Sequence, residues 1–99
     1  MIVTSRTASV APGKNHAAML FAHQVTKYVT EKYGVETTLM VPIGGDAMRI
    51  SWRGQFPSLA DLEAYGEKLR HDREYSQMVD KAGDCFIAGS VHDEMWRTV

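Results

Sequence analysis

The clearest pattern lies in mid-chain, where Val35, Thr37, Leu39, Val41 and Ile43 alternate with Glu36, Thr38, Met40 and Pro42. That period of two marks a strand buried on one side. Gly44-Gly45-Asp46-Ala47 follows as a turn. A hairpin closed through it sets Ile43 opposite Met48, Val41 opposite Ile50, Leu39 opposite Trp52 and Val35 opposite Phe56, all on one side. The other side carries Glu36 with Gln55, Thr38 with Arg53, Met40 with Ser51 and Pro42 with Arg49. Pro42 has no N–H to give a ladder, so this strand is predicted to be an edge, or Pro42 to lie at its frayed end.

The remaining chain divides around this hairpin. Ile2 to Val10 is rich in β-branched and small residues and stops at Ala11-Pro12-Gly13, which predicts a first strand. From Asn15 to Tyr33, the residues Ala18, Phe21, Ala22, Val25, Tyr28, Val29 and Tyr33 recur at steps of three and four. They form one face of a helix that Gly34 ends. Ser58, with Asp61 three residues on, is an acidic variant of the capping box and starts a second helix through Leu59, Leu62, Tyr65 and Leu69. The charged run Arg70 to Glu74 predicts a bend or break near Asp72, after which Tyr75, Met78 and Val79 resume the pattern until Gly83. A last strand is expected from about Cys85 through Phe86, Ile87, Ala88 and Val91, with His92 to Val99 as an extension or a short extra strand.

The order is β-α-β-β-α-β, a ferredoxin-like α+β fold. Its four-stranded antiparallel sheet has strands one and three in the middle and two helices on one face. Ninety-nine residues make one domain, 1–99, with a modest core, so a second copy covering the free face of the sheet would add stability. A net charge of −1, without a basic stripe, argues against a nucleic-acid partner. One cysteine, Cys85, excludes an internal disulfide and a cysteine metal cluster. No run is apolar enough to cross a membrane and no export signal is recognisable, so the expected location is cytoplasmic.

Four short segments then carry a resemblance: Pro12-Gly13-Lys14, Phe56-Pro57-Ser58-Leu59, Asp72-Arg73-Glu74-Tyr75 and Gly89-Ser90-Val91-His92-Asp93. Together they resemble the dimeric α/β-barrel superfamily, and within it the NIPSNAP-like members, which are related to antibiotic biosynthesis monooxygenase-like domains. The resemblance implies two subunits whose sheets close into a barrel, with a ligand cleft between each sheet and its own helices. It implies no single reaction, because the superfamily holds cofactor-independent monooxygenases, isomerases, haem-binding proteins and members without known chemistry.

Candidate chemistry follows from residue types. His92, with Glu94 on the same side of an extended strand and Asp93 on the other, is a candidate general base, or part of a polar interface. Trp52 and Tyr65 are candidates to wall a cleft around a flat organic molecule, or simply to pack the core. Arg53, with Arg49 and Arg6, would form a cationic patch for a carboxylate or phenolate if the three share a face; otherwise they pair with Glu36 and Glu94. His16 and His23 are seven apart, opposite the apolar stripe, and are expected to be exposed. Cys85 is expected to act as a small apolar residue. No pattern demands a metal or cofactor. The expected function is thus a homodimer binding a small organic molecule, as a cofactor-independent monooxygenase or isomerase, with a non-catalytic binding or assembly protein and a haem-binding protein as alternatives.

Overall fold

A computed structural model describes residues 1–99. Its elements are β1 (Ile2–Ser9), α1 (Asn15–Tyr33), β2 (Thr37–Met40), β3 (Arg49–Phe56), α2 (Leu59–Arg70), α3 (Arg73–Lys81) and β4 (His92–Arg97), with a single 3-10 turn at Gly83–Cys85. The sheet is antiparallel throughout, in the order β2-β3-β1-β4. The two central strands are those expected, and β2 is an edge.

The hairpin register holds where β2 exists: Thr38 faces Arg53, Leu39 faces Trp52 and Met40 faces Ser51. The ladder ends there, three residues earlier than the alternation to Ile43 predicts. Pro42 cannot donate to it, and residues 41–48 form an open loop, in which Gly45 adopts φ 74°. Val41, Ile43 and Met48, expected against the helices, are therefore exposed.

A second correction concerns the last strand. Cys85 closes the 3-10 turn, and Phe86 makes only an isolated bridge to Val10. A turn follows, in which Ser90 N–H donates to the Ile87 carbonyl and Gly89 stands at φ 78°. β4 begins only at His92, and every one of its residues is exposed. The apolar run Phe86-Ile87-Ala88 imitated a strand, while the polar tail is the strand.

α1 seats on the sheet through its small residues. Ala18 and Ala22 are fully buried against Val10, Ile50 and Cys85, with Met19, Leu39, Trp52 and Phe86 packed around them. Small side chains let the helix axis approach closely. Gly34 caps α1 in the left-handed region, its N–H donating to the Thr30 carbonyl. α2 opens as expected, with the Asp61 N–H donating to Ser58 Oγ. Neither α2 nor α3 buries a single residue. No helix is long and apolar enough to cross a membrane.

What ties this second arm to α1 is Asp72, at the break between α2 and α3. Its side chain is only 2% exposed. The carboxylate accepts from Tyr28 Oη at 2.9 and 2.8 Å, from Tyr33 Oη, from Lys32 Nζ at 3.1 Å and from the Tyr75 N–H at 3.0 Å. The last of these caps α3. Such a set stabilises the ionised form, and it holds the Asp72 carboxyl far below its ordinary 3.8, with the Tyr33 hydrogen bond as the largest cause.

Because the folded-state value is depressed, this stabilisation is present above about pH 4 and is lost as the pH falls below it. Asp72→Ala leaves two phenol hydroxyls and a cap N–H unmatched. It should lower the melting temperature by roughly 10 °C near neutral pH. The gap between wild type and variant should narrow as the pH drops from 5 towards 2. Melting curves by circular dichroism over that range check both effects.

Candidate functional site

α1 lies close to the sheet and the α2–α3 arm stands off from it, and between them a cleft of about 610 Å³ remains. Its floor is the helix-facing side of the sheet. Alternation along β1 and β3 places Thr4, Arg6, Ala8, Trp52, Gly54 and Phe56 there, while Asp93 and Met95 come from β4. The roof is Leu62, Tyr65, Gly66 and Leu69 of α2 with Tyr75 and Val79 of α3, and one wall is Phe21, Val25 and Val29 of α1. Eighteen of the 29 lining residues are hydrophobic, which suits a mostly apolar occupant.

Aromatic rings set the shape. Trp52 stands edge-on to Phe21 at 6.3 Å and tilted against Phe86 at 6.2 Å. Its indole N–H is buried and meets no acceptor, an arrangement that costs about 1–3 kcal/mol. Tyr65 packs on Phe56 at 5.3 Å and edge-on to Tyr33 at 5.8 Å. Burial, followed by the neighbouring Tyr75 and Tyr33, pushes the Tyr65 phenol up to about 12. It remains an O–H donor at any physiological pH.

One ion pair stands in the cleft. Arg6 and Asp93 are direct partners across β1 and β4. Arg6 Nε donates to Asp93 Oδ1 and Nη2 to Oδ2, each at 2.8 Å, the bidentate geometry that suits a guanidinium. The pair is about half exposed, 56% and 53%, so its contribution to stability is small. The hydrogen bonds from Arg6 hold the Asp93 carboxyl below its ordinary value, and those to Asp93 raise Arg6 further.

The residues singled out by sequence are thus divided. Trp52 and Tyr65 line the cleft. His92 and Arg53 lie on the opposite face of the sheet, His92 across from Thr7 with Nε2 3.9 Å from Glu94, and Arg53 across from Ser5 and Thr38. The imagined cationic patch does not form, because Arg6 points to the helices while Arg49 and Arg53 point away. Arg6 pairs with Asp93 and not with Glu36 or Glu94, and Arg49 Nε donates to the Asp46 carbonyl. Sequence reasoning passed over Asp93, Tyr75 and Gly66; strand parity at Asp93 was a usable signal once β4 is placed at His92.

The cleft does not fit a histidine-bound haem, because none of the four histidines lines it. His16 and His23 are exposed on α1. No group of three or more histidine, cysteine, aspartate or glutamate side chains is placed to hold a metal ion.

Comparison with solved structures gives a uniform answer at the level of the fold. The chain superposes on an uncharacterised NIPSNAP domain protein from Burkholderia xenovorans with a TM-score of 0.85 at 12% identity, covering 100% of this chain and 95% of that one. A NIPSNAP family protein of unknown function from Agrobacterium tumefaciens matches with a TM-score of 0.78 at 16% identity, over 99% and 87% of the two chains. A provisionally named antibiotic biosynthesis monooxygenase from Nitrosomonas europaea matches with a TM-score of 0.77 at 17% identity, over 100% and 99%. The class is therefore the ferredoxin-like fold shared by NIPSNAP and antibiotic biosynthesis monooxygenase-like domains. No protein-family profile and no curated protein matches the sequence.

Gly66 offers a direct handle on this site. It sits inside α2 on the roof of the cleft, and a Cβ there would meet nothing within 4 Å. Gly66→Ala should stabilise the fold by about 0.5–1 kcal/mol through helix propensity alone. Urea unfolding of the two proteins measures it, and no gain would mean that α2 is not helical at this point.

Proposed function

We propose that this protein binds a small, mostly apolar organic molecule between its sheet and its helices, and works as a homodimer through the opposite face of the sheet. The observation that carries the first part is the cleft itself. Trp52, Leu39 and Phe21 pack beneath it without filling it, whereas a structural core of this size would be closed by side chains from α2 and α3.

Binding is favoured over proton-transfer catalysis by the groups at hand. Asp93 is held ionised by Arg6, Tyr65 is held protonated, and His92 lies on the other face. Neither cleft group is poised near neutrality, where a general acid or base works best. A cofactor-independent oxygenation of the bound molecule is the second reading, supported by the fold shared with the provisionally named monooxygenase. Walls that hold a flat substrate suit that chemistry too.

The dimer rests on the uncovered face. Trp96, 63% exposed, sits there across from Val3, with Met40 further along the same side, and the three helices lie on the other side. Arg49 and Arg53 on β3 with Glu94 on β4 and Glu36 beside β2 make this face mixed in charge, so a two-fold can set cations against carboxylates. A second copy is then the natural cover.

Two measurements test the proposal. The neutral fluorophore N-phenyl-1-naphthylamine should brighten on titration into the wild type with micromolar affinity. Gly66→Leu, which projects a side chain into the cleft from an otherwise stabilised helix, should weaken it at least about tenfold while leaving the circular dichroism unchanged. Equal binding by both proteins would place the ligand elsewhere. Light scattering should return twice the chain mass of 11.1 kDa, and Trp96→Glu should return the single mass; a wild-type monomer at micromolar concentration would sink the dimer.

A further inference from the structure

The polar groups of the cleft are unequal in kind. Arg6 uses Nε and Nη2 on Asp93, which leaves Nη1 bonded to no protein group. The hydroxyls of Tyr65 and Tyr75 also have no protein partner, although both residues line the cleft. Both phenols lie within electrostatic reach of Arg6. Three donors therefore remain open in the lining of one cleft, while the Asp93 carboxylate is already occupied by two hydrogen bonds.

The charge of the lining points the same way. Its one cation is Arg6, and the carboxylate on the same face is Asp93, directly on that cation. An acidic ligand accepting from Nη1 would meet the negative charge of Asp93 on the same guanidinium, and would have to displace Asp93 to gain a bidentate pair of its own. A ligand with an uncharged acceptor avoids both costs: it can take a hydrogen bond from Nη1 and from a phenol and leave the ion pair intact.

We infer that the cleft selects an uncharged apolar molecule ending in a carbonyl or similar acceptor, held by Arg6 Nη1 with Tyr65 and Tyr75, and discriminates against a carboxylic acid of the same shape. Asp93 is then the specificity determinant, acting as the counter-charge that silences Arg6 towards anions. The inference rests on the cleft-binding reading above and adds the class of ligand to it.

The test compares two ligands with one ring system, 2-acetylnaphthalene and 2-naphthoate, by calorimetric titration at about pH 7.5. The wild type should bind the ketone at least about tenfold more tightly than the acid. Asp93→Asn frees the guanidinium of its counter-charge and should improve naphthoate binding at least about tenfold, while the ketone changes by less than about threefold. Naphthoate binding the wild type as tightly as the ketone overturns the inference and leaves cleft binding intact, and so does an unchanged ratio in a folded Asp93→Asn. Failure of both ligands to bind the wild type, or undiminished binding of both to Gly66→Leu, removes the cleft reading and the inference together. The wild-type comparison needs no variant, so a poorly folded Asp93→Asn does not shelter the idea.

Discussion

The buried carboxylate of Asp72 is the tie on which the layout of the helical layer depends. α1 is held to the sheet by ordinary packing of Ala18, Ala22, Val25 and Val29. The arm made of α2 and α3 has no such seat, since neither helix buries a residue. Its junction is instead fastened to α1 by Tyr28, Lys32 and Tyr33 converging on one aspartate. A charge removed from water in this way is costly unless every lone pair is met. Here four donors meet it, so the tie is strong only as a complete set.

That mode of attachment explains why the site is a cleft and not a core. A helix anchored by its apolar face sinks until the space beneath it closes. A helical arm hung from its hinge can stand away, and Tyr65 braces it there, between Phe56 of the sheet and Tyr33 beside the tie. The same tyrosine thus links the hinge to the roof of the cleft. Asp72, Tyr33 and Tyr65 form a continuous chain of contacts from the hinge to the roof of the cleft.

The elements that follow from side-chain period were legible in the sequence. α1, its glycine stop, the Ser58 cap, the break at Asp72 and the Leu39–Trp52 register all emerge from spacing. What was hidden has a common cause, which is that β4 carries no apolar alternation. His92 to Arg97 is exposed throughout, with its two apolar residues, Met95 and Trp96, adjacent and not alternating, and it is a strand because β1 offers it a free edge to pair with. The apolar run before it serves the end of the cleft instead. Trp52 and Tyr65 could be placed from their own helix and strand. Asp93 could not, because its meaning depends on a partner 87 residues away in sequence.

Parity along β4 is therefore what decides the chemistry available to this site. The register puts Asp93 and Met95 towards the helices and His92, Glu94 and Trp96 towards the free face. A shift of one residue would exchange the sets, bringing an imidazole into the cleft and sending the counter-charge of Arg6 out of it. The shift is opposed by the bidentate Arg6–Asp93 pair on one face and by Trp96 against Val3 on the other. The pair that sets the polar character of the cleft is thus also one of the contacts that keeps His92 away from it. The strand pairing thereby gives the cleft an ion pair and leaves the imidazole on the far side of the sheet.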